Sequence, residues 1–292
     1  MAFSVQATAL FMAFCGLGSS MPLSSARLVA SLTTWFHAPF TSGFEVLSRA
    51  SCFLTASSYD SYNFLYASAH VTHPHRFPHY FPDAPFLSAL NDTSLRYSVE
   101  LREVTSGAVK KRAHLPLTAR PTRHSSRDVA CFVLSLQQHR GLLETTLCGD
   151  LSAMELAVKP PPLRAQLRAE GHFLVPATDT TTGDDASLLH PRAIHGTLFA
   201  RSAAQTFLKT EHVLERGMCG GPVLDSSGAV VGLVEGIVPL QHDDHEHARG
   251  SNREIQTRAI ELLGGTAVIV EIDALREVLE MALQGGRGQD RD

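Results

Sequence analysis

The sequence predicts an all-β chain closed by one C-terminal helix, and three features point to it. From Ser42 onward apolar residues come in short runs punctuated by Gly, Pro, Asp and Ser, which is the spacing of strands and turns. Residues 96–101 alternate, with Tyr97, Val99 and Leu101 on one face, and run into Thr105-Ser106-Gly107, a hairpin signature. A helical period sets in only at the end, after the β-branched run Thr266-Ala267-Val268-Ile269-Val270. Asp273 opens it, and Ile272, Leu275, Val278, Leu279 and Ala282 share one face.

Taken in order, the chain begins with a segment unlike the rest. Residues 1–44 hold no Asp or Glu, are rich in Ser and apolar side chains, and carry Arg27 as their one strong base, a composition shared by organellar import segments. Residues 1–41 are therefore expected to be a mitochondrial targeting or disordered segment. A secretory signal with residues 7–17 as its apolar region is the competing reading, although no Lys or Arg precedes it, and a cytoplasmic protein is the remaining alternative. Gln6, Thr8 and the Gly/Ser stretch at 16–20 dilute the segment too far for a membrane span.

Strands are expected at 43–47, 50–54 and 64–67. Residues 72–89 hold His73, His75 and His79 among Pro74, Pro78, Pro82 and Pro85. Proline at this density argues against helix and interior strand, so a surface loop is expected; the histidines lack the Cys or carboxylate spacing of a metal site. Lys110-Lys111-Arg112, with Arg120, Arg123 and Arg127 beyond, forms a basic stretch without interleaved aromatic residues. It is expected to be a solvated strand face, not a nucleic-acid platform. Pro160-Pro161-Pro162 is a stiff connector between two halves. A Thr/Gly/Asp-rich loop at 178–185, strands at 193–199 and 204–209, and a polar cluster at 242–247 read as a surface loop complete the series.

Composition bounds the function. With 292 residues, 44% hydrophobic and 18% charged, the chain can fill a core. A net charge of −4 gives no general attraction to nucleic acid or anionic membrane. Five cysteines without C-x-x-C spacing suggest neither a zinc ribbon nor a disulfide framework, and their odd number suits a reducing compartment.

Chemistry gathers at Gly217-Met218-Cys219-Gly220-Gly221-Pro222-Val223-Leu224, followed by the turn Asp225-Ser226-Ser227-Gly228. Glycine tolerates positive φ and lets a substrate approach the backbone. Such a turn can aim the amides of Gly217 and Cys219 at one spot, an oxyanion hole. The plain alternative is a small buried cysteine beside turn glycines. A thiol nucleophile needs a base, and the base an orienting carboxylate. Phe64-Leu65-Tyr66-Ala67-Ser68-Ala69-His70-Val71, a strand running into a short turn, offers His70 as that base. Ser126-Arg127-Asp128-Val129-Ala130-Cys131-Phe132 offers Asp128. The separations, 128 − 70 = 58 and 219 − 128 = 91, leave room for intervening strands.

These segments together resemble the chymotrypsin/trypsin-like peptidases. The loop matches G-x-S-G-G-P with Cys219 in the place of serine, as in viral chymotrypsin-like cysteine proteases; the His70 segment matches [LT]-T-A-A-H-V, and the Asp128 strand matches x-D-[IV]-A-L-L. Val71 stands where digestive trypsins carry a bridging cysteine, and the strand-then-helix ending is similar to HtrA-type protease domains, here expected without a PDZ domain. Cys52 departs from the family's G-[ST]-G-F-[LIV] strand.

The resemblance spans 43–284 and implies two antiparallel six-stranded β-barrels with a C-terminal helix. Residues 42–150 would form the first barrel with His70 and Asp128, 151–284 the second with Cys219 and the helix, and 285–292 a tail. It implies His70 as base, Asp128 as orienting acid, Cys219 as nucleophile, and the Gly217 and Cys219 amides as oxyanion hole. It places Val213, six residues before Cys219, at the floor of a substrate pocket, with Val234, Glu235 and Gly236 on its walls. An apolar floor argues against a demand for Lys or Arg. The implied partner is a peptide or protein substrate, with no cofactor and no metal. A different class of function remains beside it: a trypsin-like scaffold retained as a non-catalytic subunit of a larger assembly, such as a mitochondrial one, its loop insertions serving as protein contacts.

Overall fold

The computed structural model of the chain describes residues 29–56, 62–135, 153–175, 188–202, 205–238 and 262–289. Cys15, Cys148, the run at 178–185 and the cluster at 242–247 lie outside the described residues. In chain order the first half comprises β1 (Ala30–Phe36), β2 (Glu45–Ala56), β3 (Tyr62–Ala67), the one-turn helix α1 (Ala69–Thr72), β4 (Leu95–Arg102), β5 (Val109–His114), β6 (Thr122–Arg123) and β7 (Ala130–Ser135). Its strands form a seven-stranded antiparallel sheet in the order β5-β4-β1-β2-β3-β7-β6.

This half corrects the sequence reading in three places. Strand β1 falls inside the segment expected to be a targeting peptide, yet it sits between β4 and β2 with Ala30 and Leu32 fully buried. The folded unit therefore begins before residue 42: lack of acidic residues marks a buried central strand as readily as an import signal. The two strands expected at 43–47 and 50–54 are one strand, β2. Residues 45–52 of it pair with β1, and Phe53 to Ala56 pair with β3, so one long strand turns the corner from one part of the sheet to the other. Among the described residues this half is therefore a seven-stranded sheet where a six-stranded barrel was expected.

The Pro-rich segment is the third correction. It forms short 3-10 helices at Pro74–Arg76, Pro78–Tyr80 and Pro85–Ala89, each with Pro in its first turn. Proline starts these turns because its fixed φ suits a first helical position whose N–H has no intrahelical acceptor. The hairpin is found as expected, β4 to β5, and it recruits part of the basic stretch. Arg112 Nε donates to the fully buried Glu100 at 2.8 Å, and Arg102 reaches the same carboxylate at 2.5 Å.

The second half comprises β8 (Gln166–Val175), β9 (Leu188–Arg201), β10 (Thr206–Thr210), β11 (Pro222–Leu224), β12 (Val230–Ile237) and β13 (Ala267–Glu271). They close a six-stranded barrel in the order β10-β13-β12-β11-β8-β9, as expected. The C-terminal helix α2 (Ile272–Gln289) follows and runs through residues expected to be tail.

Each half has its own core, around Leu32, Val99 and Phe132 in the first and Leu167, Leu208 and Val231 in the second. A third cluster joins them. Phe53, Tyr66 and Val129 of the first half meet Leu233 and Val270 of the second, and the predicted apolar face of α2, Ile272, Leu275, Val278 and Ala282, seals it. Each fully buried side chain of this size contributes about 1.5–3 kcal/mol, so this seam holds the halves in one orientation. The mostly β architecture, one closed barrel, a second sheet and one C-terminal helix, agrees with the trypsin-like fold class. Among the described residues no helix is long and apolar enough to cross a membrane.

Candidate active site

Strand β3 delivers His70. Ser68 is extended, and the next four residues make the single turn α1, which tips His70 off the sheet with 7% of its surface exposed. Asp128 comes from the turn before β7. That turn is tight: His124 N–H donates to the Val129 carbonyl, and the amides of Ser126 and Arg127 donate to His124 Nδ1 at 3.1 and 3.0 Å.

The Asp128 carboxylate holds His70 twice. Oδ1 accepts the His70 backbone N–H at 2.8 Å, and Oδ2 accepts from the ring Nδ1 at 2.5 Å. With Nδ1 occupied, Nε2 is the nitrogen left for Cys219, which lies close enough to act on the charge of His70. Burial by itself disfavours a charged imidazole, but the hydrogen bonds and charges of Asp128 and Cys219 outweigh it and raise His70 from 6.5 to about 10. Cys219 is partly exposed, unlike Cys52 and Cys131, whose burial pushes their thiols up. All three are free.

The loop around Cys219 is fixed by its carbonyls. Arg216 C=O accepts from Leu174 N–H at 2.7 Å, and Met218 C=O accepts from Gly221 N–H at 3.0 Å. A trans peptide points its N–H opposite its C=O, so these two bonds aim the amides of Gly217 and Cys219 the other way. Neither amide meets an acceptor among the described residues. Ser51 of β2 completes the clamp, its hydroxyl donating to Gly217 C=O at 2.7 Å and its amide to Cys219 C=O at 3.0 Å. Gly217 has φ 98° and Gly220 φ 83°, the left-handed region where a side chain is strained. On the far side Gly220 N–H donates to Val234 C=O at 2.8 Å, tying the loop to β12.

The structure thus brings His70, Asp128 and Cys219 together and leaves the Gly217 and Cys219 amides free. The expected pocket residues divide. Val213 is 42% exposed, six residues ahead of Cys219. Val234 is not a pocket wall: its side chain is buried in the second core. Register slips between Val234 and Gly236, so Glu235 is the extra residue of a bulge, half-buried, in the electrostatic reach of Asp128 and His70. Glu235 lines a cavity of about 300 Å³ together with His124, Arg127, Glu271 and Glu277. Space is open around Gly236.

Burial, then the neighbouring Asp128, raise Glu235 from 4.5 to about 6. A raised carboxyl favours folding below 4.5, and that contribution is lost as pH rises through about 6. Glu235→Gln is therefore expected to match wild type near pH 4 and to gain about 1 kcal/mol at pH 8, after allowance for partial solvent screening. Urea unfolding at the two pH values checks this; an equal effect at both would remove the charge explanation.

Two site residues were not singled out from the sequence. Ser51 acts through contacts 166 residues away along the chain. Tyr80 of the 3-10 turn Pro78–Tyr80 lies on His70, with ring centroids 4.4 Å apart and planes 17° from parallel. The one available signal for Tyr80 was position, since the Pro-rich segment follows His70 directly. The histidines of that segment go separate ways. His73 Nδ1 pairs with Thr72 Oγ1 at 2.8 Å and burial lowers its pKa to about 4, His75 faces Asp92, and His79 lies tilted against Tyr80.

No family model matches the sequence, and no curated protein matches it. Among solved structures the chain is similar to a serine endoprotease from Yersinia pestis, with a TM-score of 0.48 and 12% identity, over 90% of this chain and 65% of that one. The chain thus spans about two thirds of the length of that protein, and the likeness is one of outline that assigns no residue.

Proposed function

We propose that this chain is a peptidase in which Cys219 is the nucleophile, His70 its base and Asp128 the group that orients the base. The observation that carries the reading is the double grip of Asp128 on His70, which commits Nδ1 and presents Nε2 to Cys219. The amides of Gly217 and Cys219, directed away from anchored carbonyls, support an oxyanion hole.

The chemistry follows from these positions. The Cys219 proton is already held on His70 Nε2, which the raised His70 favours, and the sulfur so freed attacks the carbonyl carbon of a peptide bond. Negative charge on the carbonyl oxygen is met by the two amides. Collapse breaks the C–N bond as His70 returns its proton to the leaving amine, leaving a thioester. Water, losing a proton to His70, attacks the thioester; the acid product leaves, and the proton stays on His70 beside the freed sulfur. Val213, exposed and six residues before Cys219, is taken as the floor of the substrate pocket on its place in the sequence, and an apolar floor there favours substrates with an apolar residue before the scissile bond.

The test is alkylation of the reduced protein by iodoacetamide at pH 7, with the labelled cysteine identified by peptide mass. Labelling confined to Cys219, blocked by a competing peptide and slowed at least about tenfold by His70→Ala, is the expected result. Labelling unaffected by His70→Ala would overturn the peptidase reading and favour the scaffold one, to be followed through binding partners.

A further inference from the structure

We propose that Tyr80 is a positioning residue for the His70 imidazolium, its ring face holding the charged imidazole in the orientation that Asp128 and Cys219 require. This rests on the reading of His70 as the base.

The geometry is a parallel stack, 4.4 Å between centroids and 17° between planes. Tyr80 is 46% exposed, so core burial does not account for its placement over His70. The segment that carries it is stiffened for the purpose. Tyr80 N–H donates to Phe77 C=O at 3.1 Å and Phe81 N–H to Pro78 C=O at 3.0 Å, and the fixed φ of Pro78 starts the turn. Downstream, Leu87 is buried, and Phe81, Ala84 and Phe86 pack on the first core. The His79 ring also lies against Tyr80, with centroids 4.4 Å apart and planes tilted by 41°, which limits its rotation. A ring held in this way loses little conformational entropy on stacking.

An aromatic face carries negative quadrupole and attracts a cation lying over it. The groups that face His70 are Asp128 from the turn before β7, Cys219 from the loop before β11, Glu235 from β12 with Arg127 acting on it, and Tyr80 from above. The nearby His73 stays neutral near pH 7, because burial lowers it to about 4. Tyr80 is itself neutral through the useful range, since burial and the surrounding anionic groups push its phenol up to about 12. Tyr80 therefore presents an uncharged ring to His70. Opposed to the attraction is desolvation: a ring over an imidazole also excludes water, which by itself favours the neutral form.

These two effects have opposite signs in one measurement. The His70 ring is followed by NMR from pH 6 to pH 11 in the Cys219→Ser protein, so that the readout needs no peptidase activity and no thiolate. Adding Tyr80→Leu is expected to lower the His70 midpoint by about half to one pH unit, and adding Tyr80→Phe to leave it in place, because the ring face remains. An unchanged or higher midpoint in Tyr80→Leu would overturn the proposal and assign the ring to water exclusion alone. The Tyr80→Phe protein shows whether the segment keeps its fold: if its midpoint falls as far as that of Tyr80→Leu, the ring is not the cause and the proposal fails. Failure here leaves the alkylation test untouched, and the reverse also holds.

Discussion

Gly220→Ala is expected to cost more than about 3 kcal/mol, a large share of the stability of an ordinary domain, while Gly236→Ala stays within about 0.5 kcal/mol of wild type. A Cβ on Gly220 would lie 2.2 Å from the Ser51 carbonyl oxygen and 3.1 Å from the Ser68 nitrogen, on a backbone with φ 83°. Nothing nearby can give way cheaply. Ser51 is held in the β1–β2 ladder opposite Ser31, and Ser68 starts the turn that carries His70. The substitution therefore pays for steric overlap and left-handed backbone together. At Gly236 an added Cβ meets nothing within 4 Å, and φ lies outside the left-handed region. Denaturant unfolding of both variants is the measurement. A Gly220→Ala protein within 1 kcal/mol of wild type would show that the Cys219 loop does not seat against β2 in this way. Because Gly236→Ala keeps the fold, any change in peptide preference that it brings reports on the pocket alone.

That contrast also shows why the site was legible. A nucleophile loop must place glycines where φ is positive and another backbone passes close, and Gly217 and Gly220 record that need in the sequence itself. His70 and Asp128 were readable for a related reason: each stands next to an apolar strand, and strand ends are where a fold holds polar groups in place. The residues that escaped are those whose role depends on contacts far along the chain. Ser51 looks like one more small residue of a strand, and only the folded chain, with the first sheet against the barrel, brings its hydroxyl to Gly217. Tyr80 sits among prolines and histidines that announced a loop without saying where its rings would land. Glu235 was picked out by position, but the bulge that turns it toward Asp128 depends on the register between β12 and β13. Fold class was legible from run lengths and the late helical period. The corner in β2 was not, because nothing at residues 52 and 53 marks where a strand changes partners. Strand β1 was obscured by composition, since a strand buried on both faces needs no acidic residues.

Asp128→Asn is expected to destabilise the protein by roughly 3 kcal/mol at pH 6–7, and the deficit should shrink toward pH 10. The sign follows from His70, raised on folding from 6.5 to about 10. A raised base contributes stability that is fully present below the unfolded value and is lost as pH rises through the folded one. Wild type should therefore weaken between about pH 6.5 and pH 10 in a way that the variant, lacking the carboxylate, does not. Groups other than His70 that titrate in this range are common to both proteins and cancel in the difference. The chemical consequence is separate. An Asn can offer one oxygen, which satisfies either the His70 backbone N–H or its ring but not both, and its NH₂ group favours an imidazole that accepts at Nδ1. The proton then sits on Nε2, where it cannot be received from Cys219. Alkylation of Cys219 at pH 7 should accordingly slow as it does in His70→Ala. Urea unfolding of wild type and Asp128→Asn at pH 6, 8 and 10 decides the electrostatic half. A deficit that stays constant across that range would mean that the grip of Asp128 on His70 is a neutral hydrogen bond, and the charged base on which the proposed chemistry turns would have to be abandoned.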